Sequence, residues 1–536
     1  MKILGISGSL DYEYNHDCAA ALVIDGKLVA NYEEERFNRI KHSFKKPFPI
    51  LSIQKILSEN NLTLNDIDII AIPHDPRDKQ AYLKRIVEVI DNKTTKFPDL
   101  FYIDHHSAHV CDSFFQSGFK SAAALIIDGN GDNKDGITIA KINDSELTVL
   151  KKYSHEVSLG KMYYAASTVF ARLGEFGEGK FMGLSSYGIP NQKPILEFKN
   201  NEIIKNFKNI VNDDIIKNMF LFYKMYNYPY VEKIDNDILY YINFAATVQK
   251  TYNNIIIELA RYTKKLTNEN NLILSGGCIQ NCIGNNIIIE SKLFDNVFAG
   301  PVPYDAGCAA GLAFHAAFVN KEKIINNRLY TSYAGKKYKI KIEQYKEKYN
   351  IKEYQEDFVI SALKNNKIIA WFQDGSEIGP RALGHRSILG NPANRKTLDI
   401  INNELKHREN WRPLAPIVPD ITFDLIFDVQ SYDLTEFMLR TLKIREEFQR
   451  KIPAVCHVDG TTRPQRLTKI QNPELYSLLI SFYDNTKIPC LINTSFNDKN
   501  QPIIETPEQA LEFLDVHPHL DFIVFNAKYI ITRKEV

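Results

Sequence analysis

The sequence predicts an α/β protein of more than one domain. Three observations predict it: apolar strands alternate with helical patterns along the whole chain, one strand–turn–strand unit occurs twice in the first half, and a basic, weakly periodic stretch near residue 330 separates two such regions. At roughly 150 residues per domain, 536 residues suggest two to four domains.

The elements follow in order. Lys2 to Gly8 is an apolar run ending in Gly, Ser and Gly. Ala19 to Asp25 is a second run and Lys27 to Tyr32 a third, with the Asp25-Gly26 hairpin signal between them. A polar loop, Asp11 to Asp17, joins the first two strands. Residues 49–60 have helical periodicity, and Ile67 to Ile72 reads as a short buried strand. Ala122 to Asp128 repeats the first pattern, runs into Gly129, and is followed by a strand at Gly136 to Lys141. This duplicated unit is what actin-like ATPase folds use to hold phosphates from two sides, an analogy of fold that does not establish activity. Residues 236–265 read as a long helix. Leu272 to Leu274 enters the glycine turn Ser275-Gly276-Gly277 before a helix, and Cys308 to Val319 reads as a packed helix of small apolar residues. Lys321 to Lys339 marks the boundary, giving domains over 1–335 and 345–536. The second half restarts with a helix near 356–365 and a strand at Lys367 to Phe372, and ends with strands at Pro489 to Ile492 and Asp521 to Phe525.

Composition excludes several classes. With 44% hydrophobic and 24% charged residues the balance is that of a globular protein. A net charge of +1 supplies no global field for nucleic acid or an anionic membrane, so anion binding must come from local clusters. Seven scattered cysteines do not form a disulfide framework, and Cys278 and Cys282 lack the spacing of a zinc knuckle. The N-terminus lacks a signal peptide's apolar core, and no run approaches the ~20 apolar residues that span a bilayer. A cytoplasmic protein with reduced thiols is expected. Oligomeric state is left open, a homo-oligomer included.

The densest histidine cluster is Asp104-His105-His106-Ser107-Ala108-His109. His105 and His109 are four apart, which on a helix puts both rings on one face within reach of one ion. Asp128, closing a strand before Gly129, and Asp305, in a Pro/Gly loop, offer hard oxygens. Two imidazoles with carboxylates suit Fe(II), Mn(II) or Zn(II). The competing reading is a polar helix start with solvated histidines, which three His in five residues disfavours. Gly276 and Gly277 allow backbone N–H groups close to a phosphate, and so does Gly177-Glu178-Gly179-Lys180 with a lysine added. A plain tight turn explains either equally well. His16-Asp17 in the first polar loop has the form of a base and its orienter. Glu33-Glu34-Glu35-Arg36, with Arg39, Lys41 and His42 beyond, reads most simply as a charged helix face, or else as the lining of an anion's path.

The second half carries a different chemistry. Gly379-Pro380-Arg381-Ala382-Leu383-Gly384-His385-Arg386-Ser387 sets two arginines and a histidine among glycines just after a strand. Lys406, Arg408 and Arg412 follow, then Arg463, then Asn493, Ser495 and Asn497 after a last strand. Arginine forks match phosphate and carboxylate geometry, lysine supplies a point charge, and amides and hydroxyls fix orientation. Such a cleft suits a nucleoside triphosphate together with a second small anion. A salt-bridged surface helix explains Lys406 and Arg408 singly, beside Glu404 and Glu409, but not the punctuated Gly-Pro-Arg-Ala-Leu-Gly.

HHSAH, IIDGNGD, GKFMGL, SGGCIQN, PYDAG, GPRALGHRS, LKHRENWRP, TTRPQ and NTSFN, in this order, resemble the NodU/CmcH/TobZ family of carbamoyltransferases from Ile6 to about Phe525. The resemblance implies a Kae1-like actin-type first domain and a YrdC-like α/β second domain. It implies that the second domain makes carbamoyl-adenylate and pyrophosphate from ATP, with its Mg, and carbamoyl phosphate. The adenylate then passes internally to the metal-bearing domain, where the carbamoyl group goes to a hydroxyl of a small-molecule acceptor and AMP leaves. The family's metal ligands fall on His105, His109, Asp128 and Asp305, with iron the expected metal. Its His-Asp pair falls on His16-Asp17, and its adenylate-forming residues on Arg381, Lys406, Arg412, Arg463 and Ser495. Cys278, Ile279 and His385 depart from the family's usual residues without removing a charge.

A threonylcarbamoyl-type tRNA-modifying enzyme shares both fold halves, but the fused GPRALG and LKHRENWRP segments and the neutral charge argue against it. A metallopeptidase would need a His-Glu-x-x-His helix, which is absent. A non-catalytic actin-like ATP switch would not need the second half's arginines.

Overall fold

The computed structural model describes residues 1–11, 16–46, 48–73, 75–76, 78–91, 94–132, 134–191, 193–206 and 238–534. Residues 12–15 of the first polar loop and 236–237 of the expected long helix lie outside them. The chain divides into two compact units. One comprises Met1–Tyr102, Ala306–Ile324 and Leu329–Val536, and the other Ile103–Asp305 and Ile325–Arg328. The boundary expected at 335–345 falls within the first of these.

The first sheet contains β1 (Lys2–Ser7), β2 (Ala19–Ile24), β3 (Lys27–Glu33), β4 (Ile69–Ile72) and β5 (Asp99–Tyr102), in the order β3-β2-β1-β4-β5. β1 pairs antiparallel with β2 and parallel with β4, and the Asp25-Gly26 turn closes the β2–β3 hairpin. Its apolar face, with Leu4, Ile6, Leu22, Ile70 and Ile72, packs on Ile53, Ile56 and Leu57 of the helix Ile50–Glu59. The helix Cys308–Val319 packs on β1. Gly5 permits that approach: a Cβ there would stand 1.9 Å from the Ala309 carbonyl oxygen.

The second unit repeats the plan. Its strands are β6 (Ser121–Ile127), β7 (Asp135–Asn143), β8 (Leu147–Ser154), β11 (Asn271–Ser275) and β12 (Asn296–Phe298), with a separate hairpin of β9 (Leu196–Lys199) and β10 (Glu202–Lys205). The order β12-β11-β6-β7-β8 matches the first sheet strand for strand. Two antiparallel pairings lie on one side of β6 and two parallel pairings on the other. The duplicated unit read from the sequence is therefore a repeated five-stranded topology. Ala122 to Ile127 are wholly buried, as central strands covered on both faces should be.

The remaining sheet is mixed and eight-stranded. β13 (Tyr349–Glu353), β14 (Ile369–Phe372), β15 (Arg386–Gly390), β16 (Ala415–Pro419), β19 (Gln465–Leu467), β20 (Leu491–Ser495), β21 (Phe522–Phe525) and β22 (Tyr529–Arg533) lie in the order β13-β22-β21-β14-β15-β20-β16-β19. A small ribbon joins β17 (Leu442–Lys443) to β18 (Thr461–Thr462). One face buries Ala370, Phe372, Ile388, Ile492 and Ile523, and the other Trp371, Leu389, Leu491 and Val524.

Two expectations are corrected. Glu33 to Arg36 is not a solvated helix face: Glu33, Glu34 and Arg36 are buried, because β3 ends inside the fold and hydrogen bonds absorb their charges. Asn493 and Ser495 lie on β20 rather than after it. At the end of the arginine-rich motif, Arg386 opens β15. Among the described residues, no helix is long and apolar enough to cross a membrane.

Candidate active site

The histidines stand on the helix His105–Phe115, whose N-cap Asp104 accepts the Ser107 N–H. One helical turn brings their rings to 4.7 Å between centroids. Asp128 follows β6, and Asp305 follows the Pro301–Tyr304 loop. His105 Nε2 lies 3.1 Å from Asp128 Oδ2 and 3.5 Å from Asp305 Oδ1, while His109 Nε2 lies 3.8 and 3.7 Å from the same atoms. The four ligand atoms all fall within 4.8 Å of one another. His109 is fully buried, and among the described residues its Nε2 has no hydrogen-bond partner. An orphaned ring nitrogen facing two carboxylates fits a divalent cation, which four such ligands would hold.

The surroundings orient the ligands. His109 Nδ1 meets Ser275 Oγ at 2.9 Å, and that hydroxyl also faces the Pro303 carbonyl at 3.3 Å. The Gly277 N–H donates to Asp128 Oδ1, so this glycine, read from sequence as a phosphate contact, serves the carboxylate. Gly276 takes φ +98, and a Cβ there would meet the Ile127 carbonyl at 2.2 Å, which accounts for a glycine in structural terms. Burial works against ionising Asp128 and Asp305, yet the two imidazoles hold both carboxyls below the usual range. His106 points elsewhere, to Thr138 Oγ1 at 2.6 Å, and burial lowers it to about 3. Lys180 donates to the Leu173 carbonyl.

In the other unit, Asp17 carries two histidines. His16 Nδ1 lies 2.9 Å from Oδ2 and His42 Nδ1 2.7 Å from Oδ1. His16 keeps 42% of its side chain exposed, so its ring remains accessible.

The cationic cluster lies in the same unit. Lys406 is buried, and among the described residues its ammonium meets only neutral oxygens: Ser495 O at 2.6 Å and Oγ at 3.2 Å, and Asn497 O and Oδ1 at 2.9 Å. Burial, then the charges of Arg408, Lys41 and Arg412, push its pKa well below the usual lysine value. Burial and neighbouring cations likewise lower Arg408 and Arg412, with Arg463 among those neighbours. Arg408 is braced by Asn402 Oδ1 at 2.8 Å, and Asn493 by the Ala382 carbonyl, next to Arg381, at 2.9 Å.

Glu377 gives no sequence signal, yet it organises the motif. Its Oε1 accepts the N–H groups of Leu383 at 2.7 Å, His385 at 2.7 Å and Arg386 at 3.0 Å. The His385 ring stacks on Tyr333 at 3.5 Å, and burial lowers it to about 4. Arg386 turns inward: it stacks on Phe372, and its Nη1 and Nη2 groups donate to the carbonyls of Gln373, Asp374, His385 and Glu505. His42 and Ser275 were likewise missed as site residues, since only tertiary contact reveals them.

The carbamoyltransferase N-terminus family matches residues 2–86 and 77–314, and the carbamoyltransferase C-terminus family matches residues 360–533. Nodulation protein NolNO of Sinorhizobium fredii is 30% identical over 95% of this chain and 80% of its own length. Uncharacterized protein MJ1058 of Methanocaldococcus jannaschii is 30% identical over 81% of this chain and 74% of its own. The 3'-hydroxymethylcephem-O-carbamoyltransferase of Amycolatopsis lactamdurans is 30% identical over 48% of each chain. With both halves matched and a relative of this identity spanning nearly the whole chain, the protein is a transferase that belongs to the carbamoyltransferase family.

Proposed function

We propose that the protein is an ATP-dependent O-carbamoyltransferase with two half-reactions. Residues 345–536, a YrdC-like domain in this reading, form carbamoyl-adenylate, and residues 1–335, Kae1-like, transfer the carbamoyl group to a hydroxyl of a small-molecule acceptor. Carbamoyl phosphate and water give carbamate and phosphate. A carbamate oxygen then attacks the α-phosphorus of ATP, and pyrophosphate leaves. The acceptor hydroxyl attacks the carbamoyl carbon, its proton goes to a base, and AMP leaves.

The observation that carries the reading is Lys406: a buried ammonium, crowded by cations, whose partners are all neutral oxygens. Such a crowd of cations suits a polyanion, and binding one pushes the lysine pKa back up. Arg381, Arg412 and Arg463 would contact phosphate oxygens, while Ser495 and Asn497 hold the ammonium in place. In the transfer step His16 takes the hydroxyl proton, and Asp17 keeps its Nδ1 protonated so that Nε2 is the base. His105, His109, Asp128 and Asp305 would hold a divalent metal, which supplies Lewis-acid polarisation when bound. Adenylation gives the carbamoyl group a large handle whose binding energy orients the carbonyl.

Half-reactions of single variants test this. Lys406→Ala abolishes pyrophosphate release from ATP and carbamoyl phosphate but still turns over supplied carbamoyl-adenylate. His109→Ala does the reverse. Loss of the same half-reaction in both variants would rule the two-site reading out.

A further inference from the structure

The segment Glu33–His42 leaves β3 and is tied along its length to other parts of its unit. Arg36 donates to the Gly379 carbonyl at 2.7 Å, and the Gly379 N–H donates to Glu33 Oε2 at 2.8 Å. Arg39 donates to the carbonyls of Ile503 at 2.7 Å and Pro502 at 2.9 Å. The charge of Lys41 is felt at Lys406. At its end, the His42 N–H donates to Glu35 Oε2, the Asp17 N–H donates to the His42 carbonyl at 2.6 Å, and the His42 ring reaches Asp17 Oδ1.

The backbone here is strained. Arg39, His42, Ser43 and Lys45 all take positive φ, between 46 and 61°, without being glycine, and Asp17 does so at 55°. Side chains adopt that region at a cost, and runs of it persist where surrounding contacts over-determine them. The strain delivers one thing: an imidazole on the Asp17 oxygen that His16 does not use. A carboxylate held by one histidine can still rotate about its last torsion. Held at both oxygens, it presents Oδ2 to His16 in one orientation. Burial and the charge of Asp17 act oppositely on His42, and the net shift is upward, with Glu35 adding to it and Lys41 opposing it.

We propose that His42 is a positioning residue for the transfer step: by occupying Asp17 Oδ1 it fixes the carboxylate, and so the tautomer and aim of His16. Its anchorage, Arg36 on Gly379 and Arg39 on residues 502–503, ties that alignment to segments flanking the cationic cluster. The inference rests on the reading of His16 as the base.

The test uses the full-length protein with nitrogen-labelled histidine, and variants His42→Ala, His42→Asn and His42→Gln. An asparagine amide falls where the histidine Nδ1 stood; the glutamine amide reaches past it. In the wild type, nitrogen–proton correlation shows His16 as the Nδ1–H tautomer. That tautomer survives in His42→Asn and is lost in His42→Ala and His42→Gln, which revert to the mixture of a free imidazole. AMP release from supplied carbamoyl-adenylate, with water as the acceptor probe, falls on the order of 10²-fold in His42→Ala and His42→Gln and recovers in His42→Asn. The KM for carbamoyl phosphate does not change. An unaltered His16 tautomer in His42→Gln overturns the proposal, and so does equal activity of the Asn and Gln variants. His16→Ala separates the two readings. If it leaves AMP release intact, the assignment of His16 as base fails. If it lowers AMP release while His42→Gln does not, only the positioning role of His42 fails.

Discussion

Ser275→Ala tests the metal quartet without touching a ligand. The Ser275 hydroxyl has one proton, and its two neighbours are the Pro303 carbonyl at 3.3 Å and His109 Nδ1 at 2.9 Å. A carbonyl can only accept, so the hydroxyl donates to Pro303 and accepts from Nδ1–H. That assignment leaves the lone pair of His109 on Nε2, the atom that faces Asp128 and Asp305 without a hydrogen-bond partner. Serine thereby selects the metal-binding tautomer. Both residues are fully buried, so water does not readily replace the lost hydroxyl. Removing an outer partner of a metal-bound histidine typically weakens metal binding about 10- to 100-fold, or about 1.4 to 2.7 kcal/mol. Competition of Co(II)-loaded full-length protein against a chelator of known affinity measures this directly. Ser275→Thr, which keeps the hydroxyl, should bind within a few-fold of wild type, provided its extra methyl fits. Equal affinity of wild type and Ser275→Ala refutes the tautomer argument, and undiminished binding in His109→Ala refutes the site.

Other outcomes follow from the same geometry. Glu377→Gln should lower the melting temperature and weaken adenylate formation together, since three N–H groups of the arginine-bearing segment converge on that carboxylate and bonds to charged groups contribute about 1.5–3 kcal/mol each. Burial raises the Glu377 pKa, but His385, Arg386 and the N–H donors together hold it below the usual value. Its folded pKa is thus depressed, so its stabilisation is present above the unfolded value near ~4.3 and is lost as pH falls below that. Melting curves from pH 6 down to about pH 3 should converge for wild type and Glu377→Gln; parallel curves would contradict this. Gly5→Ala should destabilise by at least about 1–3 kcal/mol in denaturant melts, because its methyl meets backbone rather than a movable side chain. Because burial and neighbouring cations lower the Lys406 pKa and a bound polyanion raises it again, affinity for ATP should fall as pH rises in wild type more steeply than in Lys406→Met, as read by calorimetry.

Elements with strong local patterns were legible in the sequence. The runs at Lys2, Ala19 and Ala122 are apolar throughout because they are central strands, and Asp25-Gly26 and Ser275-Gly276-Gly277 carry their own turn chemistry. The convergence of His105, His109, Asp128 and Asp305 could be anticipated because the two histidines share one helical face, Asp128 ends an apolar run beside Gly129, and Asp305 sits in a Pro/Gly loop. β8 escaped notice because it is an edge strand with a bulge opposite Ile139 and Ala140, where the adjacent Val149 and Leu150 are both exposed, so its alternation is broken. Glu33 and Arg36 misled for the opposite reason. Charge predicts exposure unless a partner is present, and theirs, Gly379, lies some 340 residues away in sequence. Glu377, Ser275 and His42 act through backbone groups or through another side chain, and no spacing rule reveals such partners. Arg386 shows the converse: an arginine inside an anion-like motif whose two terminal nitrogens donate to carbonyls of its own fold.

In the proposed reaction ATP is cleaved to AMP to activate a carbamoyl group, and phosphorus NMR of the full-length protein with ATP and Mg, with and without carbamoyl phosphate, reads that cleavage. AMP and pyrophosphate are expected only when carbamoyl phosphate is present, with inorganic phosphate released in equal amount. AMP formation that does not depend on carbamoyl phosphate, or ADP as the product, would contradict it.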